Sequence, residues 1–360
     1  MKLLASVSPG EVRVAAFDAS GLVDYAIWRP GVPDGVGDLY RGRIVARMPA
    51  LGGAFVDLGG AEGFLPERES LAPVGTMLGV RVVRAGQGGK GVRLAASGDT
   101  PGGPATLLQR GPGAIERLAA LHPTAAIEID DAGTMATLRP LLADRLMLVA
   151  HAFDDEVASE IAALAHSIID LPHGARMAIH PTAAVTAIDL DLAAASDQRG
   201  GKTRTHDAAN RAAIPALARQ IRLRNLGGGI VIDLAGLSVK RRAALGPALA
   251  AALADDPVGP RFLGFSALGL AEVLRPRIHP PLHELLFTPH AHGLAALRQA
   301  ATQIAATPAT ALALSAAPSV ISALNADPVA LTQFSHRAGR ALVLRQEHAL
   351  SSAEWRLDPA

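Results

Sequence analysis

Two aliphatic runs in the middle of this sequence end on aspartate. Val185–Asp191 reads VTAIDLD, and Ala218–Ala235 reads ARQIRLRNLGGGIVIDLA. Short runs of β-branched and aliphatic residues read as buried strands. The first run delivers Asp189 and Asp191 to a strand end, and the second delivers Asp233. The surrounding segment is cationic: Arg199–Arg242 holds ten basic residues, among them Arg199, Lys202, Arg204, Arg219, Arg222 and Arg224, against two acids, Asp207 and Asp233. Buried acids inside a positive field suit a hard divalent cation working beside phosphate. Mg²⁺ takes oxygen ligands and keeps several waters, so one or two carboxylates plus a substrate phosphate suffice. A bound ion of this kind polarises a phosphoryl oxygen and acidifies its water. The plainer alternative is that strand-end aspartates cap turns or helices.

The loop Ser196–His206, SDQRGGKTRTH, sets Gly200 and Gly201 beside Arg199, Lys202 and Arg204. It can neutralise several phosphates, with salt-sensitive binding; otherwise it is a solvated charged face. Gly227–Gly229 precede a strand instead of following one, which argues against a dinucleotide fingerprint.

The elements that must position these groups follow from period and punctuation. Val12–Asp18 and Leu22–Arg29 alternate around a short turn and predict a hairpin. Five short strands, Leu39–Arg47, Ala54–Leu58, Gly63–Leu65, Val80–Arg84 and Gly91–Ala95, predict a small barrel with the strand count of an OB fold. After a Pro/Gly linker at Ser97–Gly103 the pattern alternates between helix and strand. Helices are predicted over Asp154–Ile169, Asp207–Arg224 and Val239–Leu253, with strands at Met177–His180, Val185–Asp191, Gly229–Leu234 and Arg261–Phe265. A small terminal unit lies beyond Leu285.

Composition narrows the class. At 360 residues there is room for two to four domains. Hydrophobic residues at 49% and charged residues at 19% fit a folded globular chain and neither a disordered nor a collagen-like one. No apolar run reaches the roughly 18 residues of a membrane span, and the first residues lack a basic stretch followed by an apolar core. The expected setting is cytoplasmic, with no membrane partner. Cysteine is absent, so disulfides and thiolate metal sites are excluded and any metal must sit on oxygen or imidazole.

The order of motifs resembles the catalytic half of the ribonuclease E/G family. Gly37–Pro66, GDLYRGRIVARMPALGGAFVDLGGAEGFLP, is similar to that family's OB-fold RNA-binding barrel, and Gln87–Leu94, QGGKGVRL, to its closing strand. Thr182–Asp191, Asn210 and Ala218–Asp233 are similar to its catalytic segment, and Phe265–Leu282 to a later one. The resemblance implies a mixed α/β (α+β) chain. In it, a small OB-fold β-barrel over 36–98 is inserted in a ribonuclease H-like domain formed by 1–35 and 99–165. A deoxyribonuclease I-like catalytic α/β domain over 166–285 and a small C-terminal α/β domain over 286–360 follow. The resemblance further implies metal-binding carboxylates at Asp189 and Asp233, RNA-gripping aromatics at Phe55 and Phe64, and a phosphate-contacting lysine at Lys90. Asp191 stands where the family usually has asparagine. Read from their residues alone, Phe55 and Phe64 fit the barrel core as readily as a stacking surface for bases.

The departures are equally specific. The family's sensor for a 5′-monophosphate has only 94–125 available to it. The cysteine zinc link between protomers is replaced by Thr288-Pro289-His290-Ala291-His292-Gly293, and two imidazoles do not make a four-ligand zinc site. Gly236 stands where the family has a second acid. The expected function is a Mg²⁺-dependent endoribonuclease, with Mn²⁺ as the other candidate ion and no zinc, acting on single-stranded RNA in RNA processing or decay. A homodimer would form by some route other than a cysteine zinc link. Asp189, Asp191 and Asp233 would be catalytic, and Phe55, Phe64, Lys90, Arg199, Lys202 and Arg204 would bind RNA. The alternative is a protein that binds RNA on the same scaffold without turnover.

Overall fold

The hairpin predicted around Ala19-Ser20-Gly21 is the second half of a three-strand meander, β1 (Lys2–Ser8), β2 (Glu11–Asp18) and β3 (Gly21–Trp28). This computed structural model describes residues 1–69, 72–98, 102–171, 175–191, 202–234, 236–307 and 310–360, apart from the side chains of 202–205. Within them the chain divides into two compact units, one of Met1–Asp155 with His283–Ala360 and one of Glu156–Leu282.

In the first unit five strands close a barrel: β4 (Leu39–Met48), β5 (Gly53–Asp57), β6 (Glu62–Pro66), β7 (Met77–Arg84) and β8 (Val92–Ala96). The ring runs β4-β5-β6-β8-β7 and back to β4, and β9 (Thr106–Gln109) joins along β4. Alternation fills its interior with Ile44, Ala54, Val56, Leu58, Leu65, Val80, Val82 and Leu94. Gly42 leaves the space that Val56 and Val80 fill, where a Cβ would overlap Val56 and crowd Val80. Next come α1 (Ala114–Leu121), β10 (Ala126–Ile129), α2 (Ala132–Leu142) and β11 (Leu146–Leu148). β10 and β11 extend the meander in parallel, giving the order β11-β10-β1-β2-β3.

The second unit begins with α3 (Asp155–Ala163) and β12 (Ile168–Asp170). The single helix predicted over Asp154–Ile169 therefore stops early. Ile168 and Ile169 are β-branched and pair with Ala178 and Met177 of β13 (Arg176–Pro181), so sheet pairing overrides the helical period. β14 (Val185–Asp191), α4 (Lys202–Leu223) and β15 (Gly228–Asp233) form a β-α-β unit whose strands run parallel. The loop reading of Ser196–His206 is corrected in part, since the chain is already helical from Lys202.

The helix predicted over Val239–Leu253 is two helices, α5 (Val239–Ala243) and α6 (Gly246–Ala254). Pro247 supplies no N–H for Ala243 and restarts the helix in its first turn. β16 (Arg261–Phe265) and β17 (Ala271–Arg275) complete the order β12-β13-β14-β15-β17-β16. Ala209, Ala213, Ile214, Leu217, Ala218 and Ile221 of α4 pack on Met177, Ile179, Ile188, Leu190, Ile230 and Ile232. Arg275 and Asp256, both almost wholly buried, pair at 2.7 Å.

The rest of the first unit holds α7 (Leu282–Leu286), α8 (Pro289–Ala306), β18 (Leu312–Ala316), α9 (Pro318–Asn325), α10 (Pro328–Ala338), β19 (Val343–Gln346) and β20 (Trp355–Pro359). β18 lies between β19 and β20. Among the described residues no helix is long and apolar enough to cross a membrane.

Candidate functional site

Strand alternation decides where the carboxylates point. In β14 the residues Thr186, Ile188 and Leu190 are buried, and in β15 so are Ile230 and Ile232. The intervening Asp189, Asp191 and Asp233 therefore stand on the other face of the sheet, away from α4. The expectation of buried acids is corrected here: Asp189 and Asp191 are exposed, and the Asp233 side chain keeps 48% of its surface. In the parallel ladder Asp189 is the register partner of Asp233. Adjacent strands lie about 4.8 Å apart, so the two carboxylates leave the sheet side by side. They do so at the carboxyl ends of two parallel strands, where open α/β sheets take their ligands.

Asp233 is fixed in place. Arg242 donates from Nη1 to its Oδ1 at 2.5 Å, from Nε to Leu237 O at 2.9 Å and from Nη1 to Gly269 O at 3.0 Å. This guanidinium offsets the repulsion of two neighbouring acids and closes the loop after β15. On the other side of that loop the His206 ring, in the first turns of α4, places Nδ1 3.3 Å from Gly236 O. Buried Asn210 donates to His206 O at 2.7 Å and steadies that turn. Gly236 has φ +66°, and a Cβ there would overlap the imidazole.

The donor set is oxygen only. One oxygen of Asp233 is engaged by Arg242, while Asp189 has no ion-pair partner among the described residues. No group of three or more His, Asp or Glu able to hold a metal occurs among those residues, and the register pair offers two carboxylates. Mg²⁺ with its retained waters fits such a pair. Asp191 lies level with Arg176, whose Nε is committed to Asp170 at 3.1 Å. Glu272, level with Val231, is a further acid on this face that the sequence pattern did not reveal.

On the barrel, Phe55 and Phe64 are absent from the interior and meet edge to face on its outside, with centroids 5.8 Å apart. Gly53 makes room for the Phe64 ring, which a Cβ would overlap. Register continues the row across the strands: Phe55 faces Phe64, Phe64 faces Arg93, and Arg93 faces Arg84. Two aromatic faces and two guanidinium groups thus share one outer stripe, and Arg93 was missed in the sequence because it lies in an otherwise apolar strand. Lys90 is exposed at the end of a tight turn, where its N–H donates to Gln87 O at 3.1 Å and its O accepts from Gln87 N at 3.0 Å.

Other expectations divide. Arg199 lies outside the described residues, as do the side chains of Lys202 and Arg204. Part of the predicted cationic field is absorbed locally. Arg211 pairs with Asp207 at 3.0 Å, and Arg222 donates to Asp255 O. Arg224 donates to Gln220 and Ala163, its pKa lowered to about 10 by burial. Neither histidine of the Thr288–Gly293 stretch is turned towards the other. His290 meets the fully buried Asp327 at 2.9 Å, and His292 bonds Ser352 O. Between β8 and α1 the described chain supplies only β9.

A mixed α/β chain with an OB-like barrel, and a second unit bearing register-matched strand-end aspartates, defines the class. Residues 134–278 match the model of the ribonuclease E/G family. It is 35% identical over 142 residues to ribonuclease G of Escherichia coli (strain K12), covering 38% of this chain and 29% of that protein. With ribonuclease E of the same strain it shares 36% identity over 131 residues, 36% of this chain and 12% of that protein. Ribonuclease E of Synechocystis sp. is 34% identical over 122 residues, 34% of this chain and 18% of the relative. The matched segment thus spans less than a third of each of these relatives.

Proposed function

We propose that this chain is a metal-dependent endoribonuclease that cleaves single-stranded RNA in RNA processing or decay. The observation that carries the reading is the register match of Asp189 and Asp233 on an open face at the ends of parallel strands. The match of 134–278 to the ribonuclease E/G family model and the ribonuclease names of the similar proteins support it. The order β3-β2-β1-β10-β11, antiparallel then parallel, supports a ribonuclease H-like reading of the first sheet.

Asp189 and Asp233 would hold Mg²⁺, with Asp191 as an auxiliary acid adding charge beside it. Bound there, the ion would polarise a phosphoryl oxygen and make its water a better nucleophile. The protein's own part is positioning. Arg242 holds Asp233 in one orientation, so one carboxylate geometry is prepared before RNA arrives. Phe55 and Phe64 offer flat apolar faces on which any base can stack. Arg93, Lys90, Arg199, Lys202 and Arg204 neutralise phosphate. Without a sensor domain between barrel and α1, cleavage discriminates little between 5′-monophosphate and 5′-triphosphate ends.

The test is cleavage of a fluorescent single-stranded RNA oligomer, offered with either 5′ end, by wild type and by the Asp189→Asn and Asp233→Asn variants. Mg²⁺-dependent products from wild type alone support the reading, and equal products from all three overturn it. A second reading, RNA binding without turnover, is favoured by the count of two carboxylates and by Gly236, where no acid fits beside His206. It requires that no Mg²⁺-dependent product form at any pH while RNA binding survives Asp233→Asn.

A further inference from the structure

The loop after β15 is built around an imidazole. Arg242 grips Asp233 Oδ1 and Leu237 O with one guanidinium, so the chain folds back on itself and keeps Gly236 at the carboxylate end of the sheet. His206 reaches that loop from α4 and meets Gly236 O. A carbonyl oxygen only accepts, so the contact places the hydrogen on Nδ1 and leaves the lone pair on Nε2. The left-handed φ of Gly236 and the overlap a Cβ would make with the ring show that the loop leaves room for this side chain.

We propose that His206 is a catalytic base of the site, accepting the proton of the attacking water on Nε2. The proposal rests on the reading of Asp189 and Asp233 as the reacting centre. An imidazole with a lone pair on one nitrogen and a hydrogen on the other can take up a proton and hand it on. Asp207 is paired with Arg211, and His180, the imidazole of β13, lies level with Ala187, back towards the amino end of β14. As the bond from water oxygen to phosphorus forms, one water proton passes to Nε2. The P–O3′ bond breaks, its electron pair leaves with O3′, and that oxygen takes a proton from solvent. The imidazolium then returns its proton to solvent, and the products are a 5′-phosphate and a 3′-hydroxyl.

Steady-state cleavage of a single-stranded RNA oligomer with Mg²⁺ tests this in the full chain, comparing wild type, His206→Ala, His206→Asn, His180→Ala and Asp233→Asn. The asparagine amide retains a donor for Gly236 O but cannot take up a proton. The expected result is a fall in kcat of about 10²-fold or more for both His206 variants, with KM within about threefold, and His180→Ala close to wild type. Wild-type turnover in His206→Asn reduces the residue to a loop support and overturns the proposal. Turnover abolished by Asp233→Asn but untouched by His206→Ala overturns it alone and leaves the underlying reading standing. No cleavage by wild type overturns both.

Discussion

The outer stripe of the barrel and the carboxylate face of the second unit are both made from strands, yet they rest on different physics. In the barrel, each of Phe55, Phe64 and Arg93 is turned outward by alternation against an apolar neighbour such as Ala54, Leu65 or Leu94. That is a local rule of period two. The carboxylate pair needs more: a parallel register between β14 and β15 across the whole of α4, then His206 from the start of α4 and Arg242 from α5. A binding surface of the first kind survives the loss of single members. A site of the second kind acts as one unit.

The largest expected effect tests that contrast. Asp189→Asn and Asp233→Asn are each expected to lower kcat by about 10³-fold or more, a size seen when a group of joint function is broken. The double variant is expected to be no worse than the poorer single one, because both side chains serve one ion. RNA affinity measured without divalent metal is expected to stay within about threefold. Multiplicative losses in kcat would show two independent roles and dissolve the pair.

Much of this was legible in the sequence. VTAIDLD and GGIVID announced the strands and their aspartates, and the short glycine-punctuated strands announced the barrel. The open face of the carboxylates was not legible, because a run of aliphatic residues does not say whether one or both faces of its sheet are covered. Here α4 packs on one face, and the polar residues that alternate with Ile188, Leu190 and Ile232 emerge on the other. Arg242 and His206 were hidden for another reason. Nothing in their neighbours' spacing marks them, and only the closing of the loop after Asp233 brings them together. The strand Ile168–Asp170 carries a helical period in the sequence, because its identity as a strand depends on a partner, β13.

On the barrel, Phe55→Ala and Phe64→Ala are each expected to weaken single-stranded RNA binding by about 1–3 kcal/mol, or roughly 5–150-fold in Kd. Both rings lie outside the interior, so unfolding stability should change far less than the 3–5 kcal/mol typical of a buried Phe. Leu65→Ala, by contrast, is expected to lose about 2–5 kcal/mol of stability. Equilibrium binding together with denaturant titration separates the two. If the Phe variants unfold as readily as Leu65→Ala, the stripe is core and the comparison fails.

Arg93 sharpens the same surface with a smaller effect. If it follows Phe64 as a phosphate contact, Arg93→Ala should lower RNA affinity a few-fold and reduce the slope of log affinity against log salt by about 0.7, the value for one phosphate on a single strand. An unchanged slope would end the stripe at Phe64.

The smallest effect concerns pH and lies beside the barrel turn that carries Lys90. Glu284 accepts from Gly88 N at 3.2 Å, and next to it the His283 ring has a buried Nδ1. Burial pushes the His283 imidazole below its ordinary value, with Glu284 opposing the shift. A histidine whose folded pKa is lowered charges more readily in the unfolded chain. Its contribution is full above the unfolded value near 6.5 and is lost as pH falls through that value towards the lower folded one. Wild type should therefore lose slightly more melting temperature between pH 7.5 and 5.5 than His283→Gln, which does not titrate. Thermal scans of both at the two pH values measure the difference. Parallel losses would mean that the folded chain accepts the charged ring, and that this turn, unlike the loop around Asp233, does not depend on the state of its histidine.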